Sequence, residues 1–127
     1  MKARILLVED NNTNVHLATF LLEHHGFTVE LARNGVECLG RVHAGPLPDL
    51  ILMDLQMPLM DGYEAARELL ADPVTATIPI LAVTAYAMAG DRDKALAIGF
   101  RDYIEKPYDP LAFAARVARH LPAAPRP

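Results

Sequence analysis

The chain has 127 residues with 12 basic and 16 acidic side chains, a formal charge of −4. That is enough chain for one domain with a buried core that needs neither disulfides nor a structural metal. The mild acidity argues against electrostatically driven binding to nucleic acid or an anionic membrane. Cys38 is the only cysteine, so no internal disulfide forms, and it reads as a small half-buried side chain rather than a reactive thiol. The longest apolar runs fall well short of the roughly 18 residues of a membrane span. Met1-Lys2-Ala3-Arg4 leads into a strand pattern with no signal-peptide core, so cytoplasm is the default expectation.

In chain order, Arg4 to Glu9 carries Ile5-Leu6-Leu7-Val8, a buried-strand run that ends in the acid pair Glu9 and Asp10. Asn11 and Asn12 supply cap chemistry for a helix striped by Val15, Ala18 and Leu22, with Leu21 widening the stripe. His24 and His25 fall in its last turn, where a cation suits the helix dipole, and Gly26 is a natural stop. Neither histidine has partners at metal-ligand spacing. Phe27 to Ala32 alternates as an edge or half-covered strand would. Asn34 followed by Glu37 resembles a capping box ahead of a helix striped by Val36, Leu39 and Val42.

Gly45-Pro46-Leu47-Pro48 breaks the chain before Asp49-Leu50-Ile51-Leu52-Met53-Asp54. Bounded by Pro48 and Pro58, this apolar run is too short for a helix and reads as a central strand buried on both faces, with Asp54 at its carboxyl end. Asp61 followed by Glu64 opens a third helix carrying Ala65, Leu69 and Leu70. Pro79 to Thr84 is the next buried strand, ending in a hydroxyl. A charged helix runs from Asp91 through Ile98 and stops at Gly99, its alternating charges marking a solvated face. Asp102-Tyr103-Ile104-Glu105 is a short strand leading into Lys106-Pro107. Asp109 as cap and Pro110 at the first helical position open a last helix with a stripe of Leu111, Ala114, Val117, Ala118 and Leu121. The tail Pro122 to Pro127 is too rich in proline to pack as regular structure. Alternating strands and helices, without a repeat or a long linker, imply a single α/β domain over residues 1–121 around a mostly parallel, right-handed crossover sheet.

In such a sheet the strand ends share one edge, so Glu9 and Asp10, Asp54, Thr84 and Lys106 converge there. Carboxylates held ~4 Å apart repel by about 1 kcal/mol per pair in water and about 4 kcal/mol at a protein-like dielectric. Something cationic must offset that. Lys106 supplies one charge, and oxygen ligands with room for water suit Mg²⁺. The set can then accept a tetrahedral dianion beside an acid, which implies phosphoryl transfer onto Asp54. Thr84 would donate to the equatorial oxygens.

Leu7-Val8-Glu9-Asp10-Asn11, Asp54 followed by Met57-Pro58 and Met60-Asp61-Gly62, Thr84-Ala85 and Lys106-Pro107 together resemble the receiver domain of two-component response regulators, over about Arg4 to Leu121. Glu9 to Asn14 and Thr84-Ala85-Tyr86-Ala87 look most like stand-alone DivK-type receivers and those of hybrid kinases. The resemblance implies a flavodoxin-like, doubly wound fold of five parallel strands in the order 2-1-3-4-5 with five helices. It also implies Asp54 as phospho-acceptor, and Mg²⁺ on Asp10, Asp54 and the Gln56 carbonyl, with Glu9 acting through water. Thr84 and Lys106 would contact the phosphoryl group, a cis Lys106-Pro107 bond would aim the lysine, and Tyr103 would be the switch aromatic whose ring turns inward when Thr84 is drawn toward the phosphoryl group. The implied partners are a histidine kinase or histidine phosphotransfer protein as donor and a downstream protein on the face of the fourth helix, fifth strand and fifth helix. The chain would then catalyse nothing beyond its own phosphorylation and dephosphorylation.

Phe100 stands after Gly99 where the family usually has a smaller residue, implying altered packing ahead of the fifth strand and a bulkier partner face. Gln56 and Tyr86 occupy variable positions flanking the phosphoryl site. Two other readings are weaker. An aspartyl-phosphate phosphatase wants a second acid two residues after the nucleophile, where Gln56 stands. A flavodoxin-type phosphate loop would be opposed by Glu9-Asp10-Asn11-Asn12. No effector domain is expected within these residues, which fits a stand-alone regulator or a receiver from a hybrid kinase.

Overall fold

Five strands make one parallel sheet in the computed structural model, which describes residues 2–57 and 59–122. They are β1 (Arg4–Val8), β2 (Thr28–Ala32), β3 (Leu50–Asp54), β4 (Ile80–Thr84) and β5 (Asp102–Glu105). Pro58 and the end of the proline-rich tail, 123–127, lie outside the described residues. The helices are α1 (Asn12–His24), α2 (Gly35–Ala44), α3 (Gly62–Ala71), α4 (Asp91–Ile98) and α5 (Phe113–Ala118), and a 3₁₀ turn, Thr75–Thr77, precedes β4. The strand order is β2-β1-β3-β4-β5, the doubly wound order expected. Register runs through Leu7 opposite both Leu31 and Leu52, Leu52 opposite Leu81, and Leu81 opposite Asp102.

Every residue of β3 and β4 is buried, because both faces of the sheet are covered. One face packs Ile5, Leu7, Leu52 and Leu81 against Ala18 and Leu22 of α1 and Phe113 and Val117 of α5. The other packs Leu6, Val8, Ile51 and Met53 against α2, α3 and Ala95 of α4. Each leucine or isoleucine so buried contributes roughly 1.5–3 kcal/mol. The edge strand β2 does not alternate cleanly: only Ala32 is fully buried, since the Glu30 carboxylate bonds the Arg4 guanidinium at 3.0 and 3.2 Å.

The helix starts are built as the side chains dictate. Asn11 accepts from the Asn14 N–H at 3.0 Å, Asn34 from Glu37 at 2.9 Å and Asp61 from Glu64 at 2.9 Å. In α2 the reciprocal bond runs from the Arg33 N–H to Glu37 at 3.2 Å, one residue before the cap. Three expectations need correction. Val36 is 54% exposed, and Cys38 takes its place beside Leu39 and Val42 in the core. Leu111 is 95% exposed, and the last helix begins at Phe113. Asp109 does cap the segment, but its side chain accepts from the Leu111 N–H and its carbonyl from Ala112 and Phe113. That tight lead-in over Pro110 to Ala112 delays the helix and rotates Phe113 onto Tyr108, their rings 4.2 Å apart. Phe100, finally, adds no bulk to the surface. It is buried and meets Tyr63 edge-on at 5.9 Å.

Candidate functional site

The carboxyl ends of β1, β3, β4 and β5 bring the expected residues to one edge. Glu9 and Asp10 follow β1, Asp54 ends β3, Thr84 ends β4 and Lys106 follows β5. The backbone fixes their relative heights: Glu9 N–H bonds Ala32 O at 2.9 Å, Leu55 N–H bonds Val83 O at 3.0 Å and Lys106 N–H bonds Thr84 O at 2.8 Å. Glu9, Asp54 and Thr84 are buried and Asp10 is exposed. One carboxylate oxygen from each of Glu9, Asp10 and Asp54 lies within 4.8 Å of the others.

Lys106 reaches into this cluster with its side chain 8% exposed, placing Nζ 2.6 Å from Glu9 Oε1 and 3.2 Å from Asp54 Oδ2. Only the contact to Asp54 is directed as a hydrogen bond. Glu9 Oε1 is therefore a buried acceptor beside a cation but without a hydrogen bond. Burial pushes the Glu9 carboxyl up to about 7, the neighbouring Asp54 carboxylate pushes the same way, and Lys106 opposes both. Asp54 Oδ1 accepts from the Gln56 N–H at 3.0 Å, so Gln56 meets the site through its amide. Thr84 Oγ1 accepts from the Tyr86 N–H at 3.1 Å, an arrangement that commits a lone pair and leaves the hydroxyl proton to donate. The Lys106-Pro107 bond is cis, as expected.

Three clustered carboxylates, one with a buried oxygen lacking a hydrogen bond, offer hard oxygen donors that fit a divalent cation such as Mg²⁺. Tyr103 is not part of this cluster. Its ring is already inward, 4% exposed, in the core beside Ala82, Ala95 and Phe100, and its hydroxyl is buried without a hydrogen bond.

Two features escaped the sequence reading. Gly62 packs so closely under the strand end that a Cβ there would collide with the Asp54 carbonyl and lie 2.9 Å from Leu55 Cα. The signal available was a glycine just after the Asp61 cap. The second is an ionic network around Asp102, joined by Arg116 and His120 from the last helix and its exit. No local spacing reveals it.

Comparison with known proteins adds a finding that the geometry alone does not. The response regulator receiver domain family matches residues 5–118. The response regulator PleD of Caulobacter vibrioides is 41% identical over 92% of this chain, which spans 26% of PleD's own length. The polar-differentiation response regulator DivK of Brucella anthropi is 38% identical over 95% of this chain and 98% of DivK. Among solved structures, the receiver domain of a sensor histidine kinase from Pseudomonas aeruginosa superposes with a TM-score of 0.83 at 35% identity, covering 94% of this chain and 97% of that one. Its structure has a magnesium ion coordinated in the active-site cleft.

Proposed function

This chain belongs to the response regulator receiver family, and from that premise we propose that it takes a phosphoryl group from a partner's phosphohistidine onto Asp54. The donor is a histidine kinase or histidine phosphotransfer protein. The signal leaves as changed affinity for a downstream protein on the face of α4, β5 and α5, in the cytoplasm. The observation that carries this reading is the placing of the Lys106 ammonium between Glu9 and Asp54 at the carboxyl edge of the sheet.

An Asp54 carboxylate oxygen attacks phosphorus, the P–N bond breaks, and the imidazole leaves with that electron pair. The Gln56 N–H on its other oxygen fixes the Asp54 carboxylate. Lys106, already within ion-pair reach of Asp54, offsets the negative charge brought by the phosphoryl oxygens. Thr84 supplies its hydroxyl proton to one of them. Glu9, Asp10 and Asp54, with the Gln56 carbonyl, are the residues that would hold Mg²⁺, whose contribution is positive charge on the phosphoryl oxygens. The chain acts on no other substrate.

To move a two-state switch from mostly off to mostly on takes roughly 5 kcal/mol. Two charge-assisted contacts, from Thr84 and Lys106, at ~1.5–3 kcal/mol each, are of that order. Thr84 drawn toward the phosphoryl group releases the Tyr86 N–H and consolidates the inward position of Tyr103 across the β4–β5 pairing. The test is acetyl phosphate with Mg²⁺ followed by intact mass. Wild type gains one phosphoryl group and Asp54→Asn does not; an equal adduct on both, or none on wild type, rejects the assignment.

A further inference from the structure

Asp102 opens β5 at 6% exposure, at a cleft of about 460 Å³ lined otherwise by Arg92, Arg101, Arg116, Arg119 and His120. Four of the chain's 12 basic side chains thus share one cleft on a molecule of formal charge −4. Asp102 answers only part of that charge. Arg116 forks onto it with bonds of 2.7 and 2.8 Å, while Arg92 stands 3.6 Å away. The Arg101 and Arg119 side chains, both on exposed residues, make no ion pair among the described residues. The same groups take up the main chain of Tyr103 on the free edge of β5. The Tyr103 N–H bonds Asp102 at 2.8 Å, and the Tyr103 carbonyl accepts from Arg116 at 2.9 Å and Arg92 at 3.4 Å. A partner strand therefore cannot pair with Tyr103. Carboxylates do have guanidinium forks to meet, in the planar two-bond geometry arginine favours.

We propose that this cleft, between α4 and α5 over β5, binds an acidic segment of a partner protein, a run of Asp or Glu side chains received first by Arg101 and Arg119. The proposal rests on the receiver reading, because it gives a chemistry to the partner on the face through which that reading sends its signal. It also gives the face a link to the switch. Arg92 and Arg116 hold the carbonyl of Tyr103, so an acid that draws either away alters the strand that Thr84 pairs with. By linkage the coupling works in both directions: whatever phosphorylation does to acid binding, acid binding does to phosphorylation.

The experiment is a titration of the full chain with a short fluorescent poly-glutamate peptide, read by anisotropy and by amide chemical shifts. Shifts centred on residues 92, 101, 116 and 119 are expected, with an affinity that weakens as salt rises. Arg101→Glu with Arg119→Glu should weaken binding by about tenfold or more, while Arg41→Glu with Arg67→Glu, on α2 and α3, leaves it unchanged. Equal loss in both double variants, shifts centred elsewhere, or no binding at low salt overturns the proposal. So does sedimentation showing that Arg101→Glu with Arg119→Glu breaks up a dimer, since a second copy would then be the occupant. Phosphorylation by acetyl phosphate should survive in the cleft variant. Its absence from wild type would reject the receiver reading while leaving peptide binding measurable, so the two failures are distinguishable.

Discussion

The ammonium of Lys106 lies nearer to Glu9, at 2.6 Å, than to Asp54, at 3.2 Å. Even so, Glu9 is the acid raised to about 7, because burial and the Asp54 carboxylate together outweigh one lysine. A carboxyl raised above its ordinary 4.5 takes up a proton more readily folded than unfolded. Its stabilising contribution is full below about pH 4.5 and is lost as pH rises through about 7. Urea denaturation of metal-free protein should therefore give an unfolding free energy that falls between about pH 5 and about pH 8 by an amount on the order of 1 kcal/mol or more, with a matching fall in the midpoint. Glu9→Gln should flatten that slope. Added Mg²⁺ should oppose it, since the ion favours the ionised acid. A wild-type midpoint that rises over this range contradicts the account.

The same crowding predicts opposite effects for two substitutions at the site. Asp54→Asn removes a charge next to Glu9 while keeping the shape, so metal-free protein should gain about 1 kcal/mol in stability as it loses the phosphoryl adduct. Lys106→Met leaves two buried acids without their cation and should cost about 1–3 kcal/mol near neutral pH. The Lys106→Met deficit should shrink toward pH 5, where Glu9 carries a proton. Thermal denaturation of both variants at two pH values decides the matter, and destabilisation by Asp54→Asn would count against a site under electrostatic strain.

The parts legible in sequence were those encoded locally. Short apolar runs bounded by proline or turn residues marked β1, β3 and β4, alternation from Phe27 to Ala32 marked β2, and Asn11, Asn34 and Asp61 marked three helix starts, because a cap is a contact across three residues. The shared edge followed from parallel topology alone, which is why Glu9, Asp54 and Lys106 could be grouped before any distance was known. Much of what could not be read is set by neighbours far along the chain. Val36 points outward and Cys38 inward because α3 fixes which face of α2 is covered. Leu111 leaves the buried stripe for a local reason, because the Asp109 side chain takes its N–H and tightens the turn ahead of α5. Asp102 and Arg116 meet only because α5 returns alongside β5. The ring of Tyr103, expected to turn inward on phosphorylation, is inward without it, because it packs in the core with Ala95 and Phe100.

The Asp102 network should be worth more than its position near the surface suggests. The Arg116 fork holds the Asp102 carboxyl well below the usual carboxylate range, with burial opposing it. A lowered carboxyl contributes stability above its ordinary 3.8, and that contribution is lost as pH falls below it. Arg116 also takes the Tyr103 carbonyl, so Arg116→Ala leaves two acceptors short of donors. Because the arginine side chain is about one-third exposed, 32%, the cost near neutral pH should be about 2 kcal/mol rather than the larger value of a fully buried pair. Arg116→Lys should recover only part of it, lacking the fork. A cost below ~0.5 kcal/mol in chemical denaturation would show that Arg92 and His120 suffice without Arg116.

Gly62 and Gly40 make a matched pair for backbone packing against backbone freedom. A Cβ at Gly62 would meet the Asp54 carbonyl, Leu55 Cα at 2.9 Å and Met53 Cγ at 2.9 Å, two of them backbone atoms of the strand end that presents the site. Gly62→Ala can be accommodated only by moving the start of α3 off β3, and should cost about 2–4 kcal/mol. Because the displaced backbone carries Asp54, its phosphorylation by acetyl phosphate should slow even where the variant is folded. A Cβ at Gly40, inside α2, meets nothing within 4 Å, so Gly40→Ala removes unfolded-state freedom without a clash. It should stabilise by about 0.5–1 kcal/mol and leave phosphorylation unchanged. Denaturation midpoints and the rate of adduct formation on both variants test the pair. A tolerated Gly62→Ala with unaltered phosphorylation would mean that the contact beneath Asp54 does not hold the acid in place.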